Sequence, residues 1–317
     1  MKKIAILTRD CAGVNACIRS IVRTCDKKGI ESYGVIKGYE GLIEGNFRKL
    51  SRRDVSGILH QGGTILKTSR SQRFYKKIFQ ERAIENLKDN NFDGLIVVGG
   101  NGSLTAANII AQDYDFPVIG VPATIDNDVN GVELSLGADT AVNVALEALD
   151  KIRDTATSLE RIFIVEVMGR KCGYLALQVA LSGGCEEVLI PELNFDYNTI
   201  CQEIKKGNKK GKHSFIIIVA EGAAKAEDVS KIINKKTDLE TRVAVLGHIQ
   251  RGGRPTSKDR VLGACFGNYA VELISKGEKD FCVRFNNNIL DKIPIKKVIL
   301  KKTIEIKDYY SLIKTLT

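Results

Sequence analysis

The sequence predicts an α/β protein with two Rossmann-like, three-layer domains whose mostly parallel sheets face each other across a cleft. Short apolar runs alternate with helix-like segments almost throughout the 317 residues, a pattern typical of βαβ units. Unbroken apolar runs, such as residues 95–98 and 216–219, are expected of parallel strands that are buried on both faces. The strand–loop–helix pattern occurs twice, roughly before and after residue 137, which favours two similar domains.

Each element is predicted from this alternation. Strands are expected at residues 3–7, 31–36, 94–98, 117–121, 161–167, 187–190, 215–220 and 241–245. Helical periodicity predicts helices at residues 14–28, 103–112, 138–155 and 259–276. Arg9 and Asp10 end the first apolar run, so it fits a buried strand better than a signal peptide, and a cytoplasmic protein is expected. The last sixty or so residues could return to either domain.

Composition narrows the class of protein. A hydrophobic content of 44% and a charged content of 27% are globular values, and no apolar run is long enough to span a bilayer. The net charge of +10 suits an anionic partner, but Trp is absent and aromatic residues are only 6%, which leaves little for base stacking. Phosphorylated small molecules are therefore favoured over nucleic acid and membrane. The eight cysteines contain no Cys-x-x-Cys, which predicts reduced thiols rather than a zinc site or a disulfide framework.

The segment Thr-Ile-Asp-Asn-Asp at residues 124–128 places two carboxylates just past a predicted strand. Ligands bind at the carboxyl ends of strands in open parallel sheets. There Asp126 can accept a hydroxyl proton, and Asp128 can help to hold a phosphate-bound cation. A simple turn is the alternative, because Asn and Asp favour turns.

A glycine turn, Gly-Gly-Asn-Gly-Ser at residues 99–103, joins a predicted strand to a helix. Glycines let the backbone approach a polyphosphate, and the helix N-terminus supplies amide donors. Ser103 can cap the helix or touch a phosphate. A plain strand-to-helix turn is the other interpretation.

The second half repeats this arrangement at two strand ends. Arg170 is expected at a helix start, where its planar guanidinium can bind phosphate oxygens bidentately. His248 and Arg251 follow another strand end and precede a flexible turn. Since Asp126 already serves as a base, His248 is interpreted as a phosphate or sugar ligand.

Together these segments resemble the phosphofructokinase family over nearly the whole chain. The motifs that carry the resemblance lie at residues 38–42, 99–103, 124–128, 167–170 and 246–253. The resemblance implies a cytoplasmic 6-phosphofructokinase that uses Mg²⁺ and transfers a phosphoryl group from ATP to the 1-hydroxyl of fructose 6-phosphate in glycolysis. It also implies a larger nucleotide-binding domain at residues 1–136 plus about 250–300, and a smaller sugar-phosphate domain at 137–249 plus about 301–317.

Residue roles follow from the matched motifs. Asp126 would be the base, Thr124 and Asp128 would flank the moving phosphoryl group and its magnesium, and Arg170 would line the sugar phosphate. The remaining sugar ligands would be Ile125, Arg161, Met168, Gly169, Glu221, Arg242, His248 and Arg251. The nucleotide site would comprise Gly13, Arg70, Ser71, Gly100, Asn101, Gly102 and Ser103, with Asn101 and Asp128 nearest the metal.

The resemblance also implies regulation and assembly. Arg161 and Arg242 match arginines that reach into a neighbouring subunit's active site, which would make oligomerisation necessary for catalysis. The family's bacterial members are tetramers, so the resemblance implies a homotetramer. A second set matches an effector site for ADP or phosphoenolpyruvate: Arg19, Arg23, Arg52, Arg153, Glu186, Lys210 and Lys212.

Two departures from the family pattern fall on the nucleotide and metal side. The first glycine loop lacks two glycines and reads Thr-Arg-Asp-Cys-Ala-Gly-Val-Asn at residues 8–15, so Arg9 either compensates with its charge or blocks the site. Asn101 stands where the family has a metal-associated aspartate. Gly102 and Ala123 differ from the Asp and Lys of pyrophosphate-dependent relatives, which favours a nucleotide donor. A weak or inactive regulatory subunit, or a kinase with another donor or sugar, remains an alternative.

Overall fold

The computed structural model describes all 317 residues, and the chain divides into two compact units. Unit 1 comprises Met1–Thr140 and Arg251–Lys302, and unit 2 comprises Ala141–Gln250 and Thr303–Thr317. The C-terminal part of the chain is therefore divided between the units: residues up to Lys302 lie in unit 1, and the last fifteen residues lie in unit 2.

Eleven strands and eleven α-helices follow one another along the chain. The strands are β1 (Lys3–Thr8), β2 (Glu31–Val35), β3 (Phe47–Leu50), β4 (Gly94–Gly99), β5 (Val118–Pro122), β6 (Ile162–Val167), β7 (Glu187–Leu189), β8 (Phe215–Ala220), β9 (Thr241–Val245), β10 (Phe281–Asn286) and β11 (Ile289–Pro294). The helices are α1 (Val14–Lys27), α2 (Tyr39–Ile43), α3 (Lys77–Asp89), α4 (Asn101–Tyr114), α5 (Ala138–Leu159), α6 (Tyr174–Ser182), α7 (Tyr197–Lys209), α8 (Ala226–Thr237), α9 (Ser257–Ser275), α10 (Ile295–Val298) and α11 (Lys307–Leu316).

Unit 1 is built on a seven-stranded sheet in the order β11-β10-β5-β4-β1-β2-β3. Its five central strands run parallel, and an antiparallel strand closes each edge. One face packs against α2, α3 and α4 through side chains such as Leu42, Ile84 and Ile110. On the other face Ile274 of α9 packs directly over Gly94 of β4. The central strands are consequently buried on both faces, as their unbroken apolar runs predict.

Unit 2 has a four-stranded, fully parallel sheet in the order β7-β8-β6-β9. Alternate residues of the central strand β8 face two different clusters, Ile216 and Ile218 on one side and Ile217 and Val219 on the other. Helices cover both faces of this sheet as well, and the predicted α/β class with mostly parallel sheets is confirmed.

Several details differ from the sequence prediction. Helix α4 begins at Asn101, and Gly100 is its N-cap, so Ser103 lies inside the helix and does not cap it. Arg170 is not at a helix start, because α6 begins only at Tyr174. The strands β3, β10 and β11 were not predicted, and β10 and β11 form a hairpin whose turn residues Asn287 and Asn288 both have positive φ.

No helix of the chain is sufficiently long and apolar to cross a membrane. All eight cysteines are free, and all but Cys265 are buried. Burial raises the pKa of the Cys25 and Cys185 thiols to about 12, which keeps them protonated and unreactive.

Candidate active site

Asp126 lies in a buried turn just beyond β5. Its side chain is 4% exposed, and its backbone N–H donates to Thr124 Oγ1 at 3.2 Å. The Thr124 hydroxyl in turn donates to Asp126 Oδ2 at 3.3 Å. The two predicted catalytic side chains therefore orient each other at the carboxyl end of a central parallel strand, as the sequence predicts.

Asn127 shapes the turn between the two aspartates. It adopts a left-handed conformation with φ of 50°, which Asn tolerates better than most residues. Its Nδ2 donates to the Glu133 carbonyl at 3.0 Å, and its Oδ1 accepts from the Ser135 amide at 2.9 Å and the Ser135 hydroxyl at 3.0 Å. Asn127 therefore serves as scaffold rather than ligand, and it holds Asp126 and Asp128 on either side of a fixed backbone.

The glycine turn lies beside this segment because β4 and β5 pair in parallel, with Gly99 opposite Pro122. A Cβ on Gly100 would lie 3.0 Å from Thr124 Cβ, so a side chain there would press on Thr124. Around Gly102, by contrast, a Cβ would meet nothing within 4 Å. The first amides of α4 receive no side-chain cap, as expected for a helix N-terminus that receives an anion.

Two oxygens at this corner fit a hard cation. Asn101 Nδ2 donates to the Asp128 carbonyl at 3.0 Å. Asn101 Oδ1 and Asp128 Oδ1 are both buried and have no hydrogen-bond partner within the protein. Leaving such atoms unsatisfied is costly, about 1–3 kcal/mol each. Mg²⁺ commonly binds through one or two protein oxygens plus substrate phosphates, so this pair suits a phosphate-bound magnesium ion.

The shortened first loop is held firmly against the segment at residues 61–69. The hydroxyls of Thr8 and Thr64 share a hydrogen bond of 2.7 Å, and Asp10 Oδ1 accepts from the Thr64 amide at 3.1 Å. Asn15 Nδ2 donates to the Gln61 carbonyl at 3.1 Å and its Oδ1 accepts from the Ile65 amide at 3.0 Å. The loop keeps a defined conformation although two glycines are missing.

The remaining predicted nucleotide residues lie around this loop. Gly13 is the N-cap of α1 with φ of 87°. Arg70 is exposed, whereas Ser71 accepts from the Phe74 amide at 3.2 Å and also bonds Glu40. The pKa of Glu40 is lowered by its hydrogen bonds to Arg73 and then Ser71. Ser71 is thus already engaged within the chain, while Arg70 presents its charge to solvent.

In unit 2 the segment at residues 168–170 is positioned by its neighbours. The Met168 amide donates to Gln250 Oε1 at 2.8 Å, and the Arg170 amide donates to Glu221 Oε1 at 2.8 Å. A Cβ on Gly222 would lie 1.8 Å from the Arg170 carbonyl oxygen, so only glycine allows this approach. Three predicted sugar ligands, Met168, Arg170 and Glu221, therefore lie together.

The two arginines predicted to reach a neighbouring subunit also lie together. Parallel pairing places Phe163 of β6 opposite Arg242 of β9. Arg161 bonds Glu240 at 2.8 Å, and Arg242 forms a second ion pair with the same carboxylate. Within one chain both guanidinium groups are held by Glu240.

His248 and Arg251 lie in the 3₁₀ segment after β9. His248 is exposed, and Arg251 Nη2 donates to the Asp10 carbonyl at 3.1 Å. Arg251 thereby contacts the shortened loop of unit 1. Ile125 is buried, while Gly169 has a positive φ of 136°.

The predicted effector residues form two groups. In unit 1, Arg23 packs near two other arginines, and the pKa of Arg23 is lowered by burial and by the charges of Arg19 and Arg52. In unit 2, Lys212 pairs with Glu186 at 3.0 Å. Glu186 and two of the predicted lysines line a cavity of about 380 Å³, whose apolar floor includes Phe215. Arg153 instead donates to the Gly183 and Gly184 carbonyls.

Sequence reasoning missed the residues that support these side chains. Asn127, Ser135 and Gln250 each satisfy a backbone group of a predicted site, yet none carries a chemical role of its own. Lys302 donates to the Asn127 and Val132 carbonyls, both at 2.8 Å, from a distant part of the chain. Only Asn127 and Gln250 had a sequence signal, since they lie inside the recognised motifs.

A buried aspartate and a glycine turn at the ends of adjacent parallel strands are typical of α/β proteins that bind phosphorylated ligands at this edge of the sheet. The phosphofructokinase family model matches residues 3–274, and the chain belongs to this family.

Individual relatives agree with this assignment. The chain is 48% identical to the ATP-dependent 6-phosphofructokinase of Natranaerobius thermophilus over 98% of its length and 97% of that protein. It is 45% identical to the protein of the same name from Bacillus subtilis over the full length of both. Among solved structures, phosphofructokinase from Saccharomyces cerevisiae superimposes with a TM-score of 0.87 at 33% identity, covering 94% of this chain and 45% of the yeast chain.

Proposed function

We propose that this chain is an ATP-dependent 6-phosphofructokinase of glycolysis, which transfers the γ-phosphoryl group of ATP to the 1-hydroxyl of fructose 6-phosphate. The observation that carries the proposal is the buried Asp126–Thr124 pair beside the glycine turn. The near-full-length relatives named ATP-dependent 6-phosphofructokinase support the same substrates. The products are fructose 1,6-bisphosphate and ADP.

In the proposed reaction Asp126 acts as general base. Its carboxylate, oriented by Thr124, accepts the proton of the sugar 1-hydroxyl as that oxygen attacks the γ-phosphorus. The bond between the γ-phosphorus and the β–γ bridging oxygen breaks, and ADP leaves with the electron pair. Asn101 Oδ1 and Asp128 Oδ1 would hold a magnesium ion, which neutralises phosphate charge when bound. Arg170, Arg251 and His248 would bind and orient the sugar phosphate.

An assay coupled to NADH oxidation tests this function with the purified chain, ATP, Mg²⁺ and fructose 6-phosphate. Turnover on the order of 1–100 s⁻¹ is expected for a kinase. Binding of fructose 6-phosphate without turnover would contradict the enzyme and favour a regulatory subunit. That alternative is motivated by Asn101 and by the shortened loop, which both lie on the donor side.

The donor is proposed to be a nucleotide rather than pyrophosphate. Gly102 and Ala123 lack the Asp and Lys expected of pyrophosphate-dependent relatives, and no side chain fills the space next to Gly102. Replacing ATP with pyrophosphate in the same assay should abolish turnover. Equal rates with both donors would overturn the nucleotide assignment.

A homotetramer with an effector site is the proposed form of the enzyme. Arg161 and Arg242 would leave Glu240 to reach a neighbouring site, which makes assembly necessary for full activity. Light scattering should give about four times the chain mass of 34.8 kDa. ADP or phosphoenolpyruvate should change the fructose 6-phosphate saturation curve, and Lys212→Ala should weaken that response. A monomer with full activity would contradict the assembly.

A further inference from the structure

Arg9 is the most distinctive residue of the shortened first loop. Its backbone N–H donates to the Val98 carbonyl at 2.8 Å, so the loop leaves the sheet beside the end of β4. This places Arg9 next to the glycine turn that follows β4. The sequence alone left two roles open for it, a compensating charge or an obstruction.

The guanidinium of Arg9 is directed at a second loop. Its Nη1 donates to Thr68 Oγ1 at 3.1 Å and to the Ser69 carbonyl at 2.5 Å. A second contact also holds Ser69, since its hydroxyl donates to the Lys37 carbonyl at 3.1 Å. Charge-assisted hydrogen bonds such as those of Arg9 are about twice as strong as neutral ones. Arg9 therefore fastens residues 68 and 69 to the shortened loop.

The aliphatic stem of Arg9 packs on the glycine turn, while its guanidinium binds the loop at residues 68–69. A Cβ on Gly99 would lie 2.9 Å from Arg9 Cγ, so the stem packs on the glycine turn where Gly99 has no side chain. Stem and guanidinium together connect the glycine turn to the loop at residues 68–69. In the first glycine loop of the family, the backbone itself passes close to the nucleotide phosphates. In this chain the long side chain of Arg9 instead bridges from the glycine turn to residues 68–69.

Arg70 follows this anchored segment directly. It is exposed and makes no hydrogen bond or ion pair within the chain. A free guanidinium on a loose loop would have to be ordered when it binds a ligand, which lowers affinity. A loop anchored at Thr68 and Ser69 presents the same guanidinium already in place.

We propose that Arg9 is a positioning residue for the phosphoryl donor: it anchors residues 68–69 and thereby presents Arg70 to the donor phosphates. This inference rests on the proposed function, because Arg70 is taken as a phosphate ligand there. Arg9 makes up for the two missing glycines by fixing the neighbouring loop.

The test uses the full-length protein and the ATP analogue adenylyl imidodiphosphate. Arg9→Met keeps the stem over Gly99 and removes the guanidinium, whereas Arg9→Lys restores one cationic donor. Calorimetry should show about tenfold weaker analogue binding for Arg9→Met, equivalent to about 1.4 kcal/mol, with partial recovery in Arg9→Lys. The KM for ATP should rise in parallel, while the KM for fructose 6-phosphate stays unchanged. Arg82→Met, which removes an exposed arginine paired with Glu44, is the matched control.

Hydrogen exchange separates positioning from a general loss of charge. In the ligand-free protein the amides of residues 66–71 should exchange faster in Arg9→Met than in the wild type and in Arg82→Met. Unchanged exchange, or analogue binding as tight as that of the wild type, would overturn the positioning role. Tighter binding in Arg9→Met would show that Arg9 obstructs the site and would also overturn it. A wild-type protein that binds no analogue would instead contradict the proposed ATP-dependent function.

Discussion

At the scale of single residues, the proposed role of Asp126 as a base depends on the groups around it. Burial removes it from bulk water, Thr124 orients its Oδ2, and Asn127 fixes the backbone on its C-terminal side. A carboxylate held in this manner has few alternative positions, which favours proton transfer from a hydroxyl bound next to it.

Asp126→Asn removes the base and preserves the shape of the side chain. The kcat should fall by about 10²–10⁴-fold, the range typical of general base catalysis. Binding of fructose 6-phosphate by calorimetry should change little, because the sugar-phosphate ligands are intact. Asp113→Asn, at an exposed position of α4, is the control and should keep wild-type turnover. Unchanged activity in Asp126→Asn would show that another group is the base.

Asn101→Asp tests whether the unpartnered oxygens of Asn101 and Asp128 bind a magnesium ion. The new carboxylate would face the Asp128 carbonyl where Nδ2 now donates, so loss of this hydrogen bond should destabilise the metal-free protein by about 1 kcal/mol. Added charge should in turn strengthen magnesium binding, so Mg²⁺ should raise the melting temperature more than in the wild type. Thermal unfolding with and without Mg²⁺ measures both effects. A smaller Mg²⁺ response together with lower activity would contradict the assignment of this corner.

The sequence could predict residues with chemistry but not those that act as supports. Asp126, Arg170 and Arg251 stand in motifs whose residue types indicate phosphate chemistry. Lys302 bonds two carbonyls at least 170 residues away, and nothing in its local sequence distinguishes it from other lysines. Ser103 was predicted either to cap the helix or to touch a phosphate, and the cap is wrong, since α4 already begins at Asn101.

At the scale of elements, the turn that carries Asp126 is attached to the segment that follows β11. Val129 forms an antiparallel bridge with Lys301, and the Asn130 amide donates to the Val298 carbonyl at 3.3 Å. Lys302 Nζ then satisfies the carbonyls of Asn127 and Val132. These contacts hold the backbone around Asp126 and Asp128 in addition to the hydrogen bonds from Asn101 and Ser135.

Lys302→Met therefore leaves two carbonyl groups without this donor. The free energy of unfolding should fall by about 1–3 kcal/mol, and kcat should fall more than either KM changes. Chemical unfolding and steady-state kinetics measure these two effects. Lys301→Met removes the neighbouring exposed side chain but keeps the backbone bridge, so it should resemble the wild type. Equal effects of the two substitutions would contradict a specific role for Lys302.

Elements buried on both faces were the easiest to predict. The fully buried strand β8 begins and ends at the predicted residues, and the prediction for the fully buried β4 differs by one residue. The edge strand β9 also matches its prediction, although three of its five residues are exposed. The hairpin of β10 and β11 was missed although Asn287-Asn288 is a turn signal, because Arg284 interrupts the apolar run of β10, and Asp291 and Lys292 interrupt that of β11. The short strand β3 was missed since Arg48 and Lys49 occupy half of it.

At the scale of the whole molecule, residues Thr303–Thr317 belong to unit 2, although the preceding residues Arg251–Lys302 belong to unit 1. Periodicity along the sequence cannot show such a return, because it depends on which surface the last helix buries. In this structure α11 supplies Ile313 to the core of unit 2 and two polar side chains to Glu187. Glu187 is adjacent in sequence to the proposed effector residue Glu186.

The attachment of α11 should fail at alkaline pH. Tyr310 donates to Glu187 Oε1 at 3.1 Å, and burial followed by the Glu187 charge raises the pKa of Tyr310 to about 12. Lys314 bonds Glu187 at 2.7 Å and Glu203 at 2.6 Å. Although burial lowers the pKa of Lys314, these bonds outweigh it and raise the pKa to about 12. Both groups favour the protonated form in the folded protein, so their stabilisation is complete below the unfolded pKa values near 10 and is lost as the pH rises towards about 12.

Urea unfolding at several pH values between about 9 and 12 measures this loss, which should be on the order of 2 kcal/mol. Tyr310→Phe cannot ionise, so its unfolding free energy should fall less steeply with pH than that of the wild type. Tyr309→Phe changes the exposed neighbour on the same helix and should keep the wild-type slope. The absorbance of tyrosinate should likewise lose one component with a pKa of about 12 in Tyr310→Phe and keep it in Tyr309→Phe. Identical pH slopes for the three proteins would mean that α11 is held by its apolar contacts alone.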